Sequence, residues 1–267
     1  MGIDLASKPA NTAVCILGWR DRQAEVITLC RGQADDRTKL HTKWLSTTAY
    51  GSRGDYGGPI TKVGIDAPFG WPEPFLDAVV AYREGPSWPT GLGNDLQDCR
   101  MRRTDLVVQE RADKWPLSVS ADSIAMCAMR CATLLTHIAE QTSPAKVERD
   151  GSGLCCEVYP DPAIRHWTDG SLECLAKRES YKGKERGAKR GALLAALQAQ
   201  LTLKDPGGLL ESVVLEDDYL DALVCALVAR AVERELTHLP ETEADRASAR
   251  AEGWIHLPAS PLEALAA

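Results

Sequence analysis

Three features that mark whole classes of protein are missing from this sequence. No stretch comes near the roughly 18 consecutive apolar residues that a membrane-spanning helix needs. The N-terminus lacks the charged start and the apolar centre of a signal peptide. The nine cysteines are an odd number and do not have the regular spacing of a disulfide framework. We therefore expect a soluble, cytoplasmic protein with reduced thiols and no membrane partner.

An excess of positive charge is missing as well. The formal net charge is −7 and the isoelectric point of the sequence is about 5.4, which argues against a protein that coats nucleic acid nonspecifically. Any contact with nucleic acid must then be local. The glycine-rich phosphate loops of Walker-type and dinucleotide-binding proteins are also absent.

Apolar material, by contrast, is sufficient for a large core. The chain has 267 residues, of which 44% are hydrophobic, and this size fits one large domain or two small ones. We predict a single domain over residues 1–267. Within it, we expect 67–150 to form a long, partly helical insertion and 237–267 to form a peripheral C-terminal segment.

Predicted strands come early along the chain and most predicted helices come later. Five short apolar or alternating runs predict strands, of which the first three form an antiparallel meander: MGIDLA, NTAVCILGW, AEVITLC, TKVGID and GLCCEVYP. Residues 68–120 are predicted to be mostly irregular, and 240–253 to be exposed at the surface. Helices are predicted at 35–49, 121–141, 184–203, 206–213 and 217–236.

Acidic residues recur on strands whose other residues are typical of a core. Asp4 lies in the first predicted strand, Asp66 ends the fourth, and Glu157 lies in the fifth. A carboxylate at the end of a buried strand is costly unless water, a partner or a metal ion receives it. If these strands are neighbours, we expect their carboxylates to converge at one edge of the sheet.

A second acidic group opens the last long helix. Asp218 and Asp221 are three residues apart and Asp217 and Asp221 are four apart, so each pair lies on one face of the helix. Beyond Asp221 the helix is apolar nearly all round. This pattern predicts a buried helix whose acidic first turn points into the protein or into a cleft.

Together these acids predict a site for hard divalent cations. Carboxylates held close together repel one another unless cations neutralise them or some of them keep protons. Mg²⁺ and Mn²⁺ take carboxylate oxygens and water as ligands, and two such ions can activate a water and stabilise the leaving oxygen of a phosphodiester. Structural roles are the alternative, because Asp66 can cap a turn, the helix acids can cap the helix, and Glu157 can pair with a buried arginine such as Arg190.

Several motifs, taken in their order, resemble a known family. These are GIDLA, GIDAPFGWP, RRTD, EVYP, YKG followed by KRGALLAAL, and DDYLDALVCAL. They are similar to the motifs of domain of unknown function family 429, whose members are described as predicted nucleases with a ribonuclease H-like fold. The resemblance runs from residue 2 to about residue 232. It implies an α/β fold in which helices flank a mixed five-stranded sheet, with three antiparallel strands followed by parallel ones.

The resemblance also implies a set of metal ligands. In related folds with nuclease or resolvase activity, the metals are bound by an Asp on the first strand, an acid on the fourth and an Asp on a late helix. The matching positions here are Asp4, Asp66 and Asp221, with Asp218 as a further ligand.

Two basic stretches fit a substrate that carries phosphate. RMRRTD contains three arginines, and YKGKERGAKR, at residues 181–190, contains five basic residues. Arginine can hold phosphate oxygens in a bidentate manner, and lysine supplies a mobile charge. Alternatively, Arg102 and Asp105 have the spacing of a helix pair and can lock each other, and the second stretch can be a solvated surface. The candidate substrate-binding residues are Arg102, Arg103, Asp105, Lys182 and Arg190.

We therefore expect a metal-dependent nuclease that hydrolyses phosphodiester bonds of nucleic acid with Asp4, Asp66, Asp221 and Glu157 as catalytic acids. Two alternatives stay open. A nucleotide-phosphate-binding enzyme of the sugar kinase or actin-like ATPase type uses the same sheet topology, although such proteins normally repeat the sheet in two lobes. A non-catalytic ribonuclease H-like binding module is the other alternative.

Overall fold

The computed structural model describes residues 1–32, 60–85, 88, 96–140, 147–168 and 179–267. The chain divides into two compact units, each assembled from separate stretches of sequence. Unit 1 comprises Met1–Asp66, Val158–His238 and His256–Ala267, and unit 2 comprises Ala67–Glu157 and Leu239–Ile255. The predicted single domain, with its insertion and its peripheral C-terminal segment, stays a prediction.

A mixed sheet of six strands is present in the described part of the chain. The strands are β1 (Gly2–Asp4), β2 (Ala13–Arg20), β3 (Gln23–Arg31), β4 (Val63–Asp66), β5 (Cys155–Glu157) and β6 (Leu203–Lys204). Their order is β5-β4-β1-β2-β3-β6. β1, β2 and β3 pair antiparallel, whereas β4 pairs parallel to β1 and β6 pairs parallel to β3. The predicted α/β class is confirmed, and a ribonuclease H-like architecture is consistent with this sheet.

The sheet has one strand more than the five that were predicted. The helix predicted at 184–203 ends at Gln200, and two residues of β6 then pair with Ala24 and Glu25 of β3. The backbone N–H of Ala24 donates to the carbonyl oxygen of Thr202 at 3.1 Å, next to this pairing. The chain therefore leaves the helix earlier than its sequence suggested and adds a short strand beside β3.

The hairpin of β2 and β3 has a two-residue turn. Arg20 pairs with Gln23, so that only Asp21 and Arg22 connect the strands. Both turn residues have positive φ, at 48° and 65°. This is the conformation of a type I′ turn, whose twist matches that of paired strands. The predicted antiparallel meander is thereby confirmed.

Nine α-helices are found in the described residues. They are α1 (Glu73–Glu84), α2 (Gln97–Arg100), α3 (Arg103–Ala112), α4 (Ala125–Glu140), α5 (Pro160–Thr168), α6 (Gly187–Gln200), α7 (Ser212–Leu215), α8 (Asp217–Glu233) and α9 (Glu243–Glu252). None of the helices in this part of the chain has both the length and the apolar character required to cross a membrane. The helix predicted at 35–49 lies outside the described residues.

The stretch 68–120 is more helical than predicted, because it contains α1, α2 and α3. Its prolines suggested irregular structure, yet Pro74 stands in the first turn of α1. A proline there costs no helical hydrogen bond, since the first N–H groups of a helix have no partner within it. The proline-rich sequence therefore did not exclude a helix.

The stretch 240–253, predicted to be exposed, forms α9 and buries one of its faces. Asp245, Ala249 and Glu252 are the buried residues. Their spacing of four and three residues places them on the same side of the helix. The charged composition of this segment concealed that pattern.

Helix α8 lies directly on the backbone of β1 and β4, and it is buried along most of its length. A Cβ atom built on Gly2 would lie 2.1 Å from the carbonyl oxygen of Ala222. A Cβ atom on Gly64 would lie 2.3 Å from the carbonyl oxygen of Cys225. The two glycines therefore permit an approach that no larger residue allows. The burial of this helix agrees with its nearly continuous apolar sequence.

We predict that Gly64→Ala destabilises the protein strongly, because its methyl group would overlap a helix carbonyl that cannot rotate away. We expect the free energy of unfolding to fall by about 3 kcal/mol or more. Urea unfolding followed by circular dichroism measures the change.

Gly191→Ala is the matched control for this prediction. Gly191 lies inside α6, where the nearest atom to its added Cβ is Val214 Cγ2 at 3.6 Å. Alanine there should stabilise the protein by about 0.5–1 kcal/mol. Equal stabilities of the two variants would contradict the close approach of α8 to β4.

Candidate metal centre

Three carboxylates of unit 1 converge where β1 and β4 end. Asp4 and Asp66 are the last residues of these strands and are partners in the parallel register. Asp221 is buried in α8, one turn from its start. A ligand oxygen from each residue lies within 4.8 Å of the other two. Among the described residues, no other group of three or more possible ligands comes together in this way.

The fold explains why these three residues meet. The carboxyl ends of adjacent parallel strands lie at the same edge of a sheet, which brings Asp4 beside Asp66. Asp221 directly precedes Ala222, whose carbonyl lies over Gly2. Because α8 packs closely on the strands, the carboxylate of Asp221 lies beside those of Asp4 and Asp66.

Charge repulsion and burial shape the electrostatics of the cluster. Burial raises the pKa of Asp4 well above its ordinary value, and the charges of Asp221 and Asp66 raise it further. Lys182 acts in the opposite direction. Without a metal ion, Asp4 thus holds its proton more readily than an isolated carboxyl group does, and a bound cation would release that proton.

Two consecutive residues contact Asp221 from the segment that precedes α6. The Lys182 ammonium lies 2.8 Å from Asp221 Oδ2, and the Tyr181 hydroxyl donates to Oδ1 at 2.5 Å. Tyr181 is fully buried, whereas the side chain of Lys182 is 46% exposed. The charge of Asp221, with smaller contributions from Asp66 and Asp4, raises the pKa of Lys182. The lysine is therefore a stable cation at this site.

Sequence reasoning missed two tyrosines near the cluster. Burial raises the pKa of Tyr181, and Asp221 adds to the shift. Burial also raises the pKa of Tyr159 to about 12, with Asp161 and Asp66 contributing. Both tyrosines stay neutral at physiological pH. Their positions in the sequence could have indicated them, because Tyr181 precedes Lys182 in the motif YKG and Tyr159 belongs to the motif EVYP.

Arg190, predicted to bind substrate, is fully buried and holds the segment that carries Tyr181 and Lys182. Its Nη1 donates to the carbonyl oxygens of Tyr181 and Gly183 at 2.9 and 2.7 Å. Its other nitrogens donate to carbonyl oxygens at the end of α7, those of Val213, Val214 and Leu215. These bonds fix the backbone on both sides of Lys182, and the substrate-binding role of Arg190 stays a prediction.

The first two acids of α8 contact other partners. Asp218 forms an ion pair with Arg31, and Asp217 accepts a hydrogen bond from the backbone N–H of Gly183 at 3.2 Å. Burial raises the pKa of Asp218, and Arg31 partly offsets that shift. Neither acid belongs to the group of three, and the metal-ligand role of Asp218 stays a prediction.

In unit 2, three of the remaining predicted site residues, Arg102, Asp105 and Glu157, form a buried ion network. Arg102 Nη2 lies 2.9 Å from Asp105 Oδ1 and 2.7 Å from Glu157 Oε1. Further bonds run from Nε to Asp105 and from Nη1 to Glu157 and to the carbonyl oxygen of Glu252. All five N–H groups of the guanidinium are thereby used. Arg102 and Asp105 do lock each other, and the buried arginine that pairs with Glu157 is Arg102 instead of Arg190.

The network compensates its own charges. Burial lowers the pKa of Arg102, but the charges of Asp105 and Glu157 outweigh it and raise the pKa overall. Burial raises the pKa of Glu157, and Arg102 limits that rise. Arg103 is also engaged, since its Nε donates to Asp245 Oδ1 at 2.6 Å. The predicted catalytic role of Glu157 and the substrate-binding roles of Arg102, Arg103 and Asp105 stay predictions.

Fold and site together define an α/β protein with a carboxylate cluster at the ends of two parallel strands. The family described as "Protein of unknown function (DUF429)" has a model that matches residues 2–245. The chain belongs to this family, as its motifs suggested. Comparisons with curated proteins and with solved structures gave no match. The description of the family names no activity.

We predict that Asp4→Asn stabilises the metal-free protein at neutral pH, because it removes a charge that burial and two neighbouring carboxylates disfavour. A carboxyl group whose pKa is higher in the folded than in the unfolded state makes stability fall as the pH rises between the two values. From about pH 4 upwards, the wild type should therefore lose stability relative to the variant. Thermal unfolding in the presence of EDTA measures the difference.

The control for this pH dependence is Asp77→Asn, which alters an exposed carboxylate of α1. It should leave the pH profile of stability unchanged. If the Asp4 and Asp77 variants have the same pH profile of stability, repulsion in the cluster does not affect the stability of the protein.

We predict that Arg102→Met costs about 3–5 kcal/mol of stability, because Asp105 and Glu157 would then be buried without their counter-ion. Arg83→Met is the control, since Arg83 pairs with Glu84 in solvent and exposed pairs contribute little. Chemical unfolding measures both variants. If Arg102 served mainly to hold a substrate, its removal would leave the free energy of unfolding close to that of the wild type.

Proposed function

We propose that the protein is a divalent-metal-dependent hydrolase of phosphodiester bonds in nucleic acid. In this proposal, Asp4, Asp66 and Asp221 hold Mg²⁺ or Mn²⁺. The observation that carries the proposal is the convergence of these three carboxylates, with ligand oxygens within 4.8 Å of one another. Carboxylate oxygens are hard ligands and suit both ions. The group contains no thiolate or imidazole, which argues against a structural zinc site.

The charge of the cluster supports a divalent ion. Three ionised carboxylates carry three negative charges, and the Lys182 ammonium beside Asp221 supplies one positive charge. Tyr181 adds a hydrogen bond but no charge. The repulsion among the three carboxylates that this single contact leaves favours the binding of a divalent cation.

Phosphate is the substrate group that such a site suits best. When bound, a divalent ion supplies a Lewis acid that polarises the phosphoryl group and stabilises charge on the leaving oxygen. The protein holds and orients the carboxylate ligands. Tyr181 donates a hydrogen bond to one oxygen of Asp221, and the other oxygen faces Lys182. This arrangement keeps the ligands in place before the substrate arrives.

A polymer with several phosphates fits the surroundings of the cluster. Lys184 and Arg186 follow Lys182 in the same segment, and both are exposed. Such a short row of positive charge can contact phosphates on either side of the bond that is cut. It supplies the local contact that an acidic protein needs in order to bind nucleic acid.

The test is a cleavage assay with structured and single-stranded DNA and RNA in the presence of Mn²⁺. Asp66→Asn, purified in the same way, is the matched variant. We expect the wild type to cut at least one substrate, and the variant to lose about a hundredfold or more in rate, because a metal ligand stabilises charge in the transition state. EDTA should abolish cleavage. Equal cutting by both proteins would indicate a contaminating nuclease and overturn the proposal.

Two further measurements separate this function from the alternatives. Calorimetric titration with Mn²⁺ should show binding that depends on Asp4 and Asp66, and its absence would favour a non-catalytic module. Thermal stabilisation by nucleotides, without cleavage of any nucleic acid, would favour an enzyme of the kinase or ATPase type.

A further inference from the structure

The Lys182 ammonium already neutralises part of the proposed metal centre. It lies 2.8 Å from Asp221 Oδ2, the distance of a direct ion pair. A divalent ion such as Mg²⁺ binds a carboxylate oxygen at about 2.0–2.1 Å. Two cations held at such distances from one oxygen would repel each other strongly at a partly buried site. The lysine and the metal ion therefore compete for Asp221.

We propose that Lys182 is a built-in counter-cation of the carboxylate cluster, which a divalent ion displaces from Asp221 when it binds. This inference rests on the proposed metal-dependent function and adds a role for a residue that touches the site. The lysine stabilises the protein when no metal ion is present and lowers the affinity for the ion. Once displaced, the ammonium remains near the cluster, where it can form an ion pair with a phosphate oxygen of a substrate.

The backbone around Lys182 is anchored while its side chain can swing. Arg190 donates to the carbonyl oxygens of Tyr181 and Gly183, the residues on either side. Tyr181 is fully buried, and the N–H of Gly183 is bonded to Asp217. The Lys182 side chain, in contrast, is 46% exposed, and its ammonium is carried on a flexible chain of about four carbons. Displacement of the ammonium therefore requires a change of rotamer and no movement of the loop.

Burial gives a reason for a lysine at this position. Asp221 is almost completely buried, and a buried carboxylate near two others is costly without a counter-charge. Tyr181 contributes one hydrogen bond to it, which leaves the second oxygen to the ammonium. A mobile side chain supplies a counter-charge that can be withdrawn, which a buried arginine such as Arg102 in unit 2 does not.

Calorimetric titration of the full chain with Mn²⁺ tests this inference. Lys182→Met should bind Mn²⁺ about fivefold more tightly than the wild type, because no ion pair has to be broken. Lys182→Arg keeps the charge and should bind more weakly than Lys182→Met. Lys204→Met removes an exposed lysine of β6, outside this segment, and should match the wild type.

Thermal unfolding provides a second readout. Without metal, Lys182→Met should unfold at a lower temperature than the wild type, because its carboxylates have lost their counter-cation. Mn²⁺ should then raise its unfolding temperature by more than it raises that of the wild type.

The possible failures are distinguishable. If the wild type binds Mn²⁺ and Lys182→Met binds it equally or more weakly, Lys182 is not a competitor, and the metal centre itself stands. If neither protein binds Mn²⁺, both this inference and the metal-dependent function are overturned.

Discussion

Close contact between helix α8 and the bare backbone of β1 and β4 is the constraint on which the candidate site depends. Gly2 and Gly64 bring helix carbonyls to positions that a Cβ atom would occupy in any other residue. Asp221 lies on this helix, and Asp4 and Asp66 end the two strands. The contact that packs the core therefore also sets the distances within the cluster, and packing and chemistry cannot vary independently here.

The acids of the two units have different surroundings. In unit 2, Arg102 meets Asp105 and Glu157 with a full set of hydrogen bonds, so these acids are already satisfied. In unit 1, the half-exposed ammonium of Lys182 contacts Asp221, which belongs to a cluster of three carboxylates. Acids whose oxygens are bound by a buried arginine have little affinity for a further cation, whereas clustered carboxylates that repel one another attract one. This difference separates a structural network from a candidate site better than the presence of acids does.

The sequence predicted those features that depend on local pattern. Apolar runs ending in Asp4 and Asp66 indicated strands with a charge at the sheet edge, and the apolar length after Asp221 indicated a buried helix. Pairing between side chains that are far apart in the sequence leaves no such pattern. Nothing in the sequence therefore indicated that Arg102, and not Arg190, is the partner of Glu157. Strand β6 is two residues long, too short for any period to appear. Its pairing with β3 is a tertiary choice that local propensity does not encode.

The close packing of α8 on β1 and β4 can form only late in synthesis, because these elements are far apart in the sequence. Strand β1 is synthesised before α8, which begins at Asp217. At about 5–20 residues per second, on the order of ten seconds or more separates the two. Until α8 has been made, the glycine-containing backbone of β1 and β4 has no helix to cover it, and exposed surface of this kind makes a nascent chain prone to mispairing and to capture by chaperones. An ion held by all three carboxylates could be bound only after α8 has been synthesised, because Asp221 lies on that helix.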